Sequence, residues 1–124
     1  MQPPASQSAR SYLSNVFGRC ISSAGDHHWV VDHAPWQEGP GEQPGPLEHF
    51  LSGISACGVL MVERQAKASG VHLDWLDVQV SGTRKTDADD PAGPATMQRV
   101  DVEFTFRGPA RDQAEVLVDH WKRH

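Results

Sequence analysis

Apolar and polar positions fall into three patterns along this chain, and each predicts a different kind of element. The first is continuous. From Phe50 to Val62 no residue is charged, and large apolar side chains (Phe50, Leu51, Ile54, Leu60, Met61) mix with small ones (Ser52, Gly53, Ser55, Ala56, Gly58). A run of that length reads as a helix rather than a strand. Pro46 suits a first helical position, where the missing N–H has no partner to lose. Glu48 falls in the first turn and Arg64 and Lys67 in the last turns, where the helix dipole favours an anion and cations respectively. Gly70 suits a left-handed cap. The pattern predicts a helix from Leu47 to about Ser69, buried on most of its circumference, with Cys57 held in a dry place at its middle.

The second pattern is alternation. Leu76, Val78 and Val80 alternate with Asp77, Gln79 and Ser81; Val100, Val102, Phe104 and Phe106 alternate with Arg99, Asp101, Glu103 and Thr105. A period of two marks half-buried strands, here over 73–84 and 97–107. The turn-rich stretch Asp87–Ala95 between them predicts an antiparallel pair. Upstream, 16–21 and 28–32 predict a hairpin around Ala24-Gly25-Asp26. The third pattern is breakers. Ala34–Pro46 holds Pro35, Gly39, Pro40, Gly41, Pro44, Gly45 and Pro46, too many for a helix or central strand; it is a loop that delivers the chain to the long helix. After Gly108-Pro109, residues 112–124 predict a second helix with Val116, Leu117, Val118 and Trp121 on its apolar side. Residues 1–11, with Pro3 and Pro4, read as a flexible N-terminus, which leaves 12–124 as one domain.

Strand, strand, helix, strand, strand, helix is the order of a two-layer α+β domain, with antiparallel strands packed on the long buried central helix. A helix apolar on nearly all sides needs cover from more than one sheet face. In so short a chain a second subunit is the source, so a homodimer is expected. Gly53 and Gly58 agree: each costs about 1 kcal/mol relative to Ala inside a helix, and close approach of another backbone is a usual reason for one.

Composition narrows the function. With 124 residues, 38% apolar and 22% charged, the chain is globular. Its net charge of −5, without any basic run, argues against nucleic acid or an anionic membrane as partner. The chargeless run is shorter than the roughly 20 residues a membrane span needs, and the polar N-terminus has no signal core, so a cytoplasmic place is expected. Cys20 and Cys57 are the two cysteines, too few for a disulfide framework or a four-thiolate zinc site. No cofactor and no metal are expected. His120 and His124 could face one ion from a helix, but lack an acidic partner. His27 and His33 face away from His28 and Asp32 on a strand. Asp87, Asp89 and Asp90 lack the Gly and terminal Glu of a calcium loop.

Cys57 remains as a candidate for chemistry. A free cysteine among apolar neighbours also packs as a small hydrophobe, and both readings stand from the residues alone. A reacting thiolate in mid-helix gains nothing from the dipole's positive end, so a cation must come from elsewhere. Arg19 on the early strand is the first candidate, then Arg10; Arg64 lies on the same helical face two turns on. Glu48 reads first as a first-turn anion.

The loop followed by GPLEHFLSGISAC, then Gly-Val-Leu-Met and a basic helix end, resembles the OsmC-like proteins, which include the organic hydroperoxide resistance (Ohr) group. HHWVVDHAP, VHLDWLDVQVSGTR and RVDVEFTFRGP resemble the strands before and after that helix, so the likeness covers roughly residues 28 to 122. It implies an α+β homodimer in which sheets from both subunits wrap two central helices. It implies a thiol-dependent reductase of organic hydroperoxides in oxidative-stress defence, with Cys57 as the peroxidatic residue, a small apolar hydroperoxide as substrate and an external thiol as reductant. It also implies an arginine of an early strand, matched by Arg19, and a glutamate ahead of the cysteine, matched by Glu48. Glu48 stands nine residues before Cys57 rather than ten, which places the two on opposite sides of a straight helix. The family's second cysteine, in a Cys-Pro-Val segment, has no counterpart up to His124. The alternative is a non-enzymatic dimer of the same fold that binds a small apolar ligand, with Cys57 a core residue.

Overall fold

Both predicted antiparallel pairs form, and the described residues hold one strand more than the pattern predicts. The computed structural model describes residues 5–85 and 96–124; the loop expected at Asp87–Ala95 lies outside the described residues. The elements run β1 (Arg10–Leu13), β2 (Arg19–Ala24), β3 (His27–Asp32), a 3₁₀ turn (Pro35–Gln37), α1 (Pro46–Ser69), β4 (Trp75–Lys85), β5 (Thr96–Arg107) and α2 (Arg111–Arg123). They form two compact units, Met1–His49 and Phe50–His124.

In the first unit the two-residue turn Gly25-Asp26 sets the register of β2 on β3. Gly25 takes the positive φ, +57°, that such turns favour. Counting back from the turn pairs Ala24 with His27 and Arg19 with Asp32. The strand expected from Val16 starts instead at Arg19, because Ser14 to Gly18 make a turn. Ser14 Oγ accepts the Val16 N–H at 3.1 Å and lies 2.9 Å from the Arg19 carbonyl; Gly18 has φ +78°. β1 pairs antiparallel with β2, Arg10 opposite Ser23 and Leu13 opposite Cys20. It includes Arg10 and Ser11, which the sequence left in the N-terminal segment. All four of its residues are exposed, so no buried alternation announces it. The backbone ladder and a Ser11–Ser22 hydroxyl pair at 2.7 Å hold it.

The breaker-rich loop is pinned by main-chain bonds. His33 N–H donates to the Gly18 carbonyl at 2.8 Å, Gly41 N–H to the His33 carbonyl at 3.0 Å, and Asp32 N–H to the Pro44 carbonyl at 3.2 Å. α1 then starts at Pro46, and Gly70 follows its last residue with φ +69°.

In the second unit β4 and β5 pair antiparallel from Trp75 opposite Arg107 to Lys85 opposite Thr96, with a register shift at Thr83/Arg84. Their shared apolar face, with Leu76 opposite Phe106, Val78 opposite Phe104 and Val80 opposite Val102, meets the helices. The core is Val62, Ala66 and Leu117, packed by Val71, Leu73, Leu76, Phe104, Phe106 and Trp121. Burying a side chain of the size of Val62 or Leu117 stabilises by roughly 1.5–3 kcal/mol. The edge of one ring meets the face of the other where Phe104 and Trp121 touch, centroids 5.2 Å apart. Gly58 is buried against this sheet: a Cβ there would lie 3.2 Å from Val78 Cγ1. Its close neighbours are side chains of the chain's own sheet, not the backbone of another helix. Gly53 has no such neighbour within 4 Å.

α2 opens with Gln113 Oε1 accepting the Ala110 N–H at 3.1 Å, which satisfies one of the orphan donors of a helix start. Its inward positions are Ala114, Leu117, Val118 and Trp121, the spacing of one helical face. Val116, expected on that face, falls off the stripe and is 67% exposed. No described helix is long and apolar enough to cross a membrane.

Candidate functional site

Cys57 lies on α1 and is exposed in the single chain, so the dry place expected for it is not made by its own chain. The cause is the phase of the helix. Gly58, Val62 and Ala66 recur every fourth residue as the buried stripe, and Cys57 is 100° off Gly58. Phe50, Gly53, Cys57, Leu60 and Arg64, spaced by three and four, form a second stripe in which all five are exposed. Phe50 and Leu60 keep 59% and 60% of their surface open. The Cys57 S–H donates to Met61 Sδ at 3.5 Å.

Arg19 and Glu48 belong to the first unit, and each has its own partner there. Arg19 Nε donates to Asp32 Oδ1 at 2.7 Å and Nη2 to Oδ2 at 2.9 Å, a two-point pair. The Asp32 side chain is wholly buried. Its Oδ2 also accepts the backbone N–H groups of Glu42 and Gln43 at 3.1 and 3.0 Å. The Arg19 hydrogen bonds, joined by those two N–H groups, outweigh the cost of burial and hold the Asp32 carboxyl down at about 2. The same pair pushes the Arg19 guanidinium up. A contact from Nη2 to Glu42 at 3.4 Å reaches a side chain 74% exposed and adds little. Arg19 is therefore engaged along one edge, and the pair ties β2, β3 and the loop before α1 together.

Glu48 Oε1 accepts the Gly45 N–H at 3.1 Å. With Gly45 just ahead of Pro46, this is the return half of a capping box, in which the third helical residue satisfies the donor ahead of the helix. The first-turn role read from the sequence is thus realised by a specific bond. Arg10, the second candidate cation, lies with its guanidinium 5.2 Å from the centre of the Tyr12 ring. Cys20 is half-buried and lines a cleft of about 200 Å³ with Arg19, Val31 and Asp32. Among the described residues no group of three or more His, Cys, Asp or Glu is placed to hold a metal ion.

Residues 39–124, more than half of the chain, match the family model described as OsmC-like protein. The chain belongs to the OsmC-like family. Solved structures of the same fold extend the likeness over nearly the whole chain. An OsmC-like protein from Mycoplasma pneumoniae superposes with a TM-score of 0.81 at 18% identity, covering 96% of this chain and 82% of that one. An organic hydroperoxide resistance protein OsmC from Legionella pneumophila gives 0.73 at 14% identity, covering 98% and 85%. An organic hydroperoxide resistance protein from Elizabethkingia anophelis, with thiocyanate from the crystallisation bound, gives 0.74 at 14%, covering 99% and 85%. Identities this low carry the fold alone. No curated protein matches the chain in sequence.

For this OsmC-like chain, sequence reasoning singled out Arg19 but missed its partner. The signal was present. A hairpin that turns at Gly25-Asp26 puts Arg19 opposite Asp32 by counting, and opposite charges across a pair attract. Met61 was read only as a large apolar side chain of the run and not as a hydrogen-bond acceptor, although it stands at i+4 from Cys57, one turn away.

Proposed function

We propose that this OsmC-like protein is a thiol-dependent reductase of organic hydroperoxides, with Cys57 as the peroxidatic residue. The carrying observation is the exposed Cys57 thiol on a stripe between the open apolar side chains of Phe50 and Leu60. A small apolar hydroperoxide can lie along such a stripe and present its O–O bond to the sulfur. The fold is shared with proteins named for organic hydroperoxide resistance, which supports the reading.

The chemistry balances with an external thiol as the reductant. The Cys57 thiolate attacks one peroxide oxygen, an S–O bond forms and the O–O bond breaks. The alkoxide leaves, takes a proton and departs as the alcohol; the cysteine is left as a sulfenic acid. One external thiol displaces water from the sulfenic acid to give a mixed disulfide. A second releases Cys57 and carries away the disulfide. Arg19 and Glu48 act in this reading from the first unit, by ordering the approach to α1.

The working form is a homodimer in the cytoplasm, where thiols stay reduced. Phe50, Gly53 and Leu60 lie on the face that a second copy would cover, so the substrate pocket beside Cys57 would be walled by both copies. The alternative is a ligand-binding dimer with Cys57 as core packing, and activity separates the two. The test is consumption of an alkyl hydroperoxide with a dithiol supplied. Wild type consumes it, and Cys57→Ser loses activity by at least about 100-fold, as removal of a nucleophile does. Equal rates for the two overturn the assignment.

A further inference from the structure

The Cys57 S–H and the Met61 thioether face each other across one turn of α1, with the thiol as donor at 3.5 Å. This follows from helix geometry. Side chains of a helix lean toward its N-terminus, so a long residue at i+4 lies over the residue at i. Met61 is half-buried while Cys57 is exposed, so the acceptor is the more anchored partner of the two. A thioether sulfur accepts weakly and has no proton to give. It can pair with a thiol but not with a thiolate, whose lone pairs it would oppose.

We propose that Met61 is a positioning residue for Cys57: its sulfur accepts the thiol S–H and aims it along the helix. This rests on the reading of Cys57 as the reacting group and adds to it the resting state. Attack on a peroxide, which needs the thiolate, then ends the Met61 contact as the proton leaves. A leucine at position 61 would fill nearly the same volume without an acceptor. The thioether therefore does something that apolar packing alone does not.

The test needs no peroxide. The S–H stretching band of Cys57 is assigned by the Raman difference between wild type and Cys57→Ser, which removes the contribution of Cys20. In Met61→Leu the band moves to higher frequency, as for a thiol that has lost its acceptor. Alkylation of Cys57 by iodoacetamide at neutral pH rises on the order of two- to fivefold, the size of one weak hydrogen bond. Met61→Ile removes the same acceptor and gives the same band shift, should the leucine variant fold poorly. An unmoved band in a folded variant overturns the inference whatever the alkylation rate does, because access alone changes that rate. Since neither readout involves hydroperoxide, this result stands or falls apart from the reductase assay.

Discussion

The two faces of α1 differ less in composition than in what covers them. On one face Gly58, Val62 and Ala66 are buried, with Val62 and Ala66 each 1% exposed. On the other, Phe50 and Leu60 are larger and more apolar, yet more than half open. Both faces carry apolar side chains; the supply of a partner differs. β4, β5 and α2 cover one stripe, and in the single chain the opposite stripe stays exposed around Cys57. A buried helical face reports how its own chain packs. An exposed apolar one is open to a further surface or ligand.

Three substitutions break or sharpen that contrast. The largest effect on folding is expected at Val62→Ala. A fully packed site loses two methyl-sized groups and gains a cavity, so stability falls by about 2 kcal/mol, read as the urea midpoint.

Asp32→Asn comes next. The carboxylate is stabilised in the folded state, where it sits at about 2 against an ordinary 3.8. A depressed acid contributes stability that is fully present above its unfolded value and is lost as pH falls through the folded one. Thermal unfolding at pH 7 should therefore show Asp32→Asn lowered by on the order of 5 °C. The gap to wild type should narrow between about pH 4 and pH 2. A gap that stays constant over that range would remove the ion pair from the account.

The smallest effect on the single chain is expected at Leu60→Asp. An exposed position changes stability by no more than about 0.5 kcal/mol, but a charge in the middle of the open stripe should block a second copy. Sedimentation should find wild type dimeric and Leu60→Asp monomeric. A dimeric variant would place the subunit contact elsewhere.

Much of this fold was legible in the sequence because its signals are local. Pro46 and Gly70 bracket α1 where caps belong. The alternation from Val100 to Phe106 is the strand it resembles. The rest depended on partners distant in the chain. β1 has four exposed residues and is a strand only because β2 lies beside it. Arg19 looked like a free cation because Asp32, thirteen residues on, was not counted across the turn. Cys57 looked dry because an apolar run does not say which of its faces the same chain will cover. Family resemblance supplied the candidate chemistry; the structure adds that the thiol is exposed in the single chain.

The central claim is that Cys57 takes an oxygen atom from an organic hydroperoxide. The most direct measurement is the mass of the peptide carrying Cys57 after brief exposure to one equivalent of alkyl hydroperoxide, with a sulfenic-acid trap present and no reductant. The account predicts the trap adduct on Cys57 together with release of the corresponding alcohol, and no adduct on Cys20. Alcohol released with Cys57 unmodified, or no alcohol released at all, would contradict it.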